Sequence, residues 1–304
     1  WKNFSSSDVI SCFDVAISIF VFTIIKLLIK FLNIFYFIMK YKKKLCSPKS
    51  LKENKGSCIN RELMEKIAKI LNNNPNCEKM NTDSDSLYDE ISYNMKNVFN
   101  CNSEYCWITI SDIVNNLSSD DVEDFKSYFR PLMPKSWKND INEWLSTSDI
   151  DNVLEQYEES DENFKYLGAH PIDAHKCSVS EEVCKIDLCE FLDNNIHKIG
   201  IVFNTDTSDG DGEHWVSFYI DLNGINRDNP SAYFFDSTGD RPQKQIYNLV
   251  KKLKKQCKKK DINLDFIWND IKHQRKDTEC GIYCLYFITQ MLKGKNFDSY
   301  VENI

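Results

Sequence analysis

The stretch KDTECGIYCLYF, residues 276–287, sets a Cys-Gly pair directly ahead of an almost unbroken apolar run. From Gly281 onward, GIYCLYFITQML is apolar at nearly every position, which reads as a central buried helix whose first turn carries Cys280. A helix N-terminus favours negative charge, and the thiolate is the nucleophilic form of cysteine. Thr278 and Glu279 suit a helix start, and Gly281 would let a substrate backbone approach closely. Cys284 lies one turn later and deeper in the apolar run, so it reads as core. Residue types at this spot leave Cys280 open as a small buried hydrophobe, a metal ligand or a nucleophile.

Upstream lie the partners a nucleophile would need. The sequence has five histidines, and His214 stands out because it opens the strand pattern HWVSFYIDL, where a side chain can project from a sheet end into a cleft. The turn formers of NGINRDNPS (223–231) separate that strand from AYFFD (232–236), predicting an antiparallel hairpin. In such a pair, Asp236 at the end of the second strand can meet His214 at the start of the first. Gln274, six residues before Cys280, is placed to offer a side-chain amide to an oxyanion beside the Cys280 backbone N–H. Cysteine, imidazole, carboxylate and amide together have the logic of a catalytic triad.

The other elements are short β-like runs, FKYLGA (164–169), KIGIVF (198–203) and INLDFIW (262–268), among helices at 146–159 and 243–260. Without a regular βαβ repeat they predict an α+β fold. Ser148 is the expected N-cap of the first of these helices. Seven lysines fall between Lys251 and Lys260, which reads first as a solvated helix face and otherwise as a surface for nucleic acid or an acidic partner. The net charge of -8 argues against a general nucleic-acid binder. Twelve cysteines contain no C-x-x-C pair, so reduced thiols are expected rather than a disulfide framework. His170, His175, Cys177, Cys184 and Cys189 match no usual zinc spacing; neither a metal nor a cofactor is expected.

Three regions follow. Residues 1–45 contain the most apolar window, 15–39, followed by KYKKK (40–44). That run is long enough to span a bilayer, although Lys26, Lys30 and Asn33 would form one polar stripe of a helix; membrane association is expected, with the following chain on the cytoplasmic side. Residues 46–139 show helical spacing at 61–73, 86–99 and 111–129 and nothing catalytic. Residues 140–304 carry the chemistry. The chain starts at Trp1, as a fragment would.

HWVSFYIDL, AYFFDS and QRKDTECGIYC (274–284) resemble the His, Asp and Gln-x5-Cys-Gly signature of the SUMO-protease superfamily, which includes maturation proteases of adenoviruses, poxviruses and asfarviruses. WLSTSDIDNVLEQYEE (144–159) and NFKYLGAHPID (163–173) resemble the stretch before the catalytic core in the large DNA virus members. The resemblance covers about residues 140–293 and implies a papain-like-superfamily core, a mixed sheet with helices and the catalytic cysteine at a helix N-terminus. It implies that Cys280 attacks, His214 is base and then acid, Asp236 orients it, and Gln274 lines the oxyanion hole. Trp215 would help wall a narrow channel for small substrate residues, giving cleavage after glycine. One departure is the 22-residue interval from His214 to Asp236, lengthened by NGINRDNPS; another hairpin register would hand the orienting role to a neighbour such as Asp240.

The expectation is therefore a cysteine endopeptidase with a monomeric catalytic domain, acting on viral structural polyproteins in host cytoplasm or virion. A deconjugase of ubiquitin-like modifiers and an inactive membrane-tethered scaffold are the alternatives.

Overall fold

The structure, a computed structural model, describes residues 45–54, 57–131, 134–140 and 142–304. The apolar window 15–39 lies outside the described residues, and among those described no helix is long and apolar enough to cross a membrane. The chain forms two compact units divided between Phe129 and Arg130, where the sequence suggested a boundary after residue 139.

The first unit is helical: α1 (Pro48–Glu53), α2 (Arg61–Leu71), α3 (Leu87–Phe99), α4 (Glu104–Trp107), α5 (Ser111–Val114) and α6 (Ser119–Ser127). The single helix expected over 111–129 is two, because Ser118 interrupts it: its hydroxyl accepts the Asp121 N–H at 3.1 Å and caps α6. Ile67 and Leu71 of α2, Ile91 and Met95 of α3, Trp107 and Phe125 form a dry core. Its ends are tied together by a Cys46–Phe129 bridge and by Ser47 N donating to Tyr128 O at 2.8 Å.

In the second unit, α7 (Thr147–Ser160) precedes β1 (Phe164–Pro171), followed by α8 (Glu181–Cys184), α9 (Leu188–Asp193), β2 (Lys198–Asn204), β3 (Trp215–Asp221), β4 (Ser231–Phe235), α10 (Lys244–Lys258), β5 (Asp265–Trp268), α11 (Cys280–Leu292) and α12 (Phe297–Asn303). The cap of α7 is Ser146 rather than Ser148, since Ser146 and Asp149 form a reciprocal capping box. The sheet has the order β1-β2-β3-β4-β5, parallel at both edges and antiparallel through its centre.

All seven residues of β3 are buried, so both faces of the sheet are covered. On one face Val216, Phe218, Ile220 and Phe234 meet Ile246, Leu249 and Leu253 of α10. On the other, Trp215, Tyr219, Tyr233 and Phe235 meet Cys284, Phe287 and Ile288 of α11, with Leu154 of α7 and Tyr300 of α12. The catalytic-looking helix is less enclosed than its composition implied, because Ile282 and Tyr286 remain exposed. Two lysines of the basic run are bound within the unit: Lys252 donates to Cys184 O at 2.7 Å and Lys260 pairs with Asp193 at 2.7 Å.

The cysteines also correct the sequence reading. Cys46–Cys58, Cys101–Cys106 and Cys177–Cys184 are disulfide-bonded, with Cα separations of 5.0, 5.7 and 5.1 Å that suit the bond. Folding sets these pairs side by side, and no short motif announces them. Among the described residues Cys77, Cys189, Cys257, Cys280 and Cys284 are free thiols.

Candidate active site

The β3–β4 register decides which residues can meet. Ser217 pairs with Phe235, so His214 and Asp236 both lie just beyond the same end of the ladder. There His214 Nε2–H donates to Asp236 Oδ1 at 2.7 Å. The Asp236 side chain is 5% exposed and that of His214 19%. Cys280 is an electrostatic neighbour of the same ring. With Nε2 committed to Asp236, Nδ1 is the nitrogen left for the sulfur.

Burial alone would push the His214 imidazole toward neutrality, but the Asp236 and Cys280 hydrogen bonds outweigh it and raise the group to about 10. The ring is therefore held as an imidazolium near neutral pH. Cys280 is the first residue of α11, whose first turn has no acidic side chain. Glu279 is turned away, accepting the Arg275 and Lys276 N–H groups at 3.1 and 3.2 Å, and these bonds hold its carboxyl below the usual range. By contrast, complete burial holds the Cys284 thiol well above its usual range, which keeps it protonated core as its place in the apolar run implied.

Asp236 is over-determined. Its Oδ1 also accepts the Thr238 N–H and hydroxyl at 2.8 and 2.7 Å. Its backbone N–H donates to Asn269 Oδ1 at 2.8 Å, and Asn269 Nδ2 returns a bond to its carbonyl at 2.7 Å. Gly239 closes the turn with φ +78°, and a Cβ there would lie 2.9 Å from the Ile271 carbonyl carbon. Asp240 reaches the Thr238 hydroxyl at 2.9 Å, while Asp236 is the residue on the imidazole.

Gln274 is 5% exposed, and its Oε1 accepts the Ser237 hydroxyl at 2.7 Å. The carboxamide NH2 is thereby left as the donating end. Trp215 and Gly281 sit together for a reason the sequence did not suggest. Trp215 Nε1 donates to Leu145 O at 3.0 Å, and a Cβ at Gly281 would lie 3.0 Å from Leu145 Cβ. Leu145 lies on the Cβ side of Gly281, so this internal contact also calls for a glycine. Ser237, Asn269, Thr238 and Leu145 escaped sequence reasoning. The Asp-Ser pair at the strand end was the one visible hint.

The family described as YopJ Serine/Threonine acetyltransferase matches residues 125–304, more than half of the chain. A putative thiol protease of Acanthamoeba polyphaga mimivirus is 30% identical over 85% of this chain and 88% of its own length. A cysteine protease of African swine fever virus is 23% identical over 82% of this chain and 86% of its own. The crystal structure of an African swine fever virus protease superposes with a TM-score of 0.64 at 20% identity, covering 84% of this chain and 88% of that one. The chain belongs to this YopJ-like and SUMO-protease-like family, as a cysteine protease of the viral type.

Proposed function

We propose that Cys280, His214, Asp236 and Gln274 form the catalytic site of an endopeptidase that cleaves viral structural polyproteins after glycine during virion maturation. The observation that carries the site is the His214 ring: it bonds Asp236 at 2.7 Å, and Cys280, at the first position of α11, acts on it electrostatically. The Cys280 sulfur attacks the scissile carbonyl carbon. Gln274 Nε2 and the Cys280 N–H receive the oxyanion. The His214 imidazolium gives its proton to the departing amine, leaving a thioester; His214, now neutral, takes a proton from water as that water attacks, and the thiolate returns.

The glycine preference, polyprotein substrates and virion setting rest on the family resemblance. Association with a membrane in host cytoplasm or virion rests on the apolar window 15–39 and the lysines after it. The Lys251–Lys260 run stays a solvated face in this reading.

The test is to incubate the full chain with Gly-Gly-X peptides and, separately, with SUMO and ubiquitin fusions. Peptide cleavage supports the maturation reading; cleavage restricted to the folded modifiers would replace it with deconjugation. The acetyltransferase description of the matching family defines a further arm, because an acyl-thioester can be resolved by a hydroxyl instead of water. Acetyl transfer from acetyl-coenzyme A to a Ser/Thr peptide, without hydrolysis of Gly-Gly peptides, would overturn the proposal. An inactive scaffold would label evenly at its free cysteines, whereas this site requires selective alkylation of Cys280 that is lost in His214→Ala.

A further inference from the structure

We propose that Ser237 is a positioning residue for the oxyanion donor, so that the Asp236-Ser237 dipeptide at the end of β4 aligns both halves of the site. The inference rests on the catalytic reading of Cys280, His214 and Gln274 given above.

Ser237 is 2% exposed and makes three bonds to one short segment. Its hydroxyl donates to Gln274 Oε1 at 2.7 Å, and its carbonyl accepts the N–H groups of His273 and Gln274 at 2.8 and 2.9 Å. Backbone and side chain of Gln274 are thus both referred to the end of β4. The hydroxyl bond has a further consequence. A carboxamide has one accepting and one donating end, and the two differ little in shape. With the hydroxyl proton given to Oε1, the NH2 is the end left for the reaction. With the amide reversed, Nε2 would donate to the serine and an oxygen would face the developing oxyanion, putting repulsion where attraction is needed.

The preceding residue does the equivalent for the base, since Asp236 Oδ1 accepts His214 Nε2–H. The two residues lie at the start of the turn that follows β4, closed by Gly239 N–H donating to Asp236 O at 2.9 Å, and their side chains serve two different partners. Asn269, 2% exposed, holds Asp236 by its own N–H and carbonyl and so steadies the dipeptide. Tyr283 of α11 donates to His273 O at 3.2 Å and fixes the far side of the Gln274 segment.

The experiment compares Ser237→Ala, Gln274→Ala and the double variant in the full chain. The probe is an internally quenched Gly-Gly peptide, and labelling of Cys280 by iodoacetamide is followed in parallel. Removing an oxyanion donor outright costs about 10²–10³-fold in kcat, so a misoriented one should cost about 10–100-fold with KM little changed. Alkylation displaces iodide and builds no oxyanion, so the labelling rate should stay at the wild-type value, which also reports an intact fold. The double variant should be no slower than Gln274→Ala alone. Ser237→Thr, which keeps the hydroxyl, should restore most of the rate. A wild-type kcat in Ser237→Ala, losses that multiply in the double variant, or an equal fall in labelling would each overturn the proposal. Failure of the underlying reading looks different: Cys280→Ala would still cleave the peptide.

Discussion

Asp221 and Asp236 close opposite ends of the same β3–β4 hairpin, and both are buried, at 0% and 4% exposure. Asp221 spends its oxygens on backbone: Oδ1 accepts Asn223 N–H at 2.9 Å and Oδ2 accepts Asn226 N–H at 2.8 Å. This folds the 223–230 loop inward. The buried Asn226 side chain then donates to Met291 O at the C-terminal end of α11 and to Lys295 O just beyond it, at 2.8 and 2.9 Å. Asp236 instead receives an imidazole, at the N-terminal end of the same helix. One hairpin therefore holds both ends of α11. The carboxylate becomes structural where its donors are amides and chemical where one donor can titrate. The loop that lengthens the His214–Asp236 interval thus has a use of its own, and it leaves the pairing at the site end intact.

Substitutions should separate the two roles. The largest effect is expected from Asp236→Ala, which should lower kcat/KM for a Gly-Gly peptide by about 10²–10⁴-fold through loss of an oriented base. In the same variant the His214 imidazole loses its foremost raising partner, so its NMR titration should fall from about 10 toward or below the ordinary 6.5. The imidazolium exists below its pKa. The alkaline limit of activity should therefore move to lower pH, and an unchanged titration would disprove the assignment of Asp236 to the ring.

Asp221→Ala should behave oppositely, reducing stability by about 2–4 kcal/mol in urea unfolding because two buried amides lose their acceptors, with kcat retained in the folded fraction. Equal loss of activity in the folded fraction would mean that the two ends are not independent. Gly281→Ala tests the contact beside the nucleophile and should cost about 1–3 kcal/mol as the new methyl meets Leu145. Smallest is Asp240→Asn, where kcat/KM is expected to stay within about twofold, since this carboxylate touches Thr238 and not the ring.

Much of the site was legible along the chain because its members sit at element boundaries with strong local signals. Cys280 precedes an apolar helical run, His214 opens a strand, Asp236 ends one, and the turn formers between the two strands announce their pairing. Other signals misled for local reasons. Ser148 was the expected cap, and the reciprocal bond between Ser146 and Asp149 starts the helix two residues earlier. The Cβ-side neighbour of Gly281 comes from residue 145 and had no local signal.

The sequence by itself determined the type of the main elements, the helix that Cys280 opens, and the residue classes gathered near it, because backbone periodicity and capping are settled by neighbours a few positions away. Only the tertiary structure decided which buried donor faces which acceptor. Ser237 and Gln274 stand 37 positions apart, Asp236 and Asn269 33, and Trp215 and Leu145 70. Such pairs leave no periodic trace. They form because a polar group sealed into a packed interior must find a partner in space, wherever along the chain that partner arises.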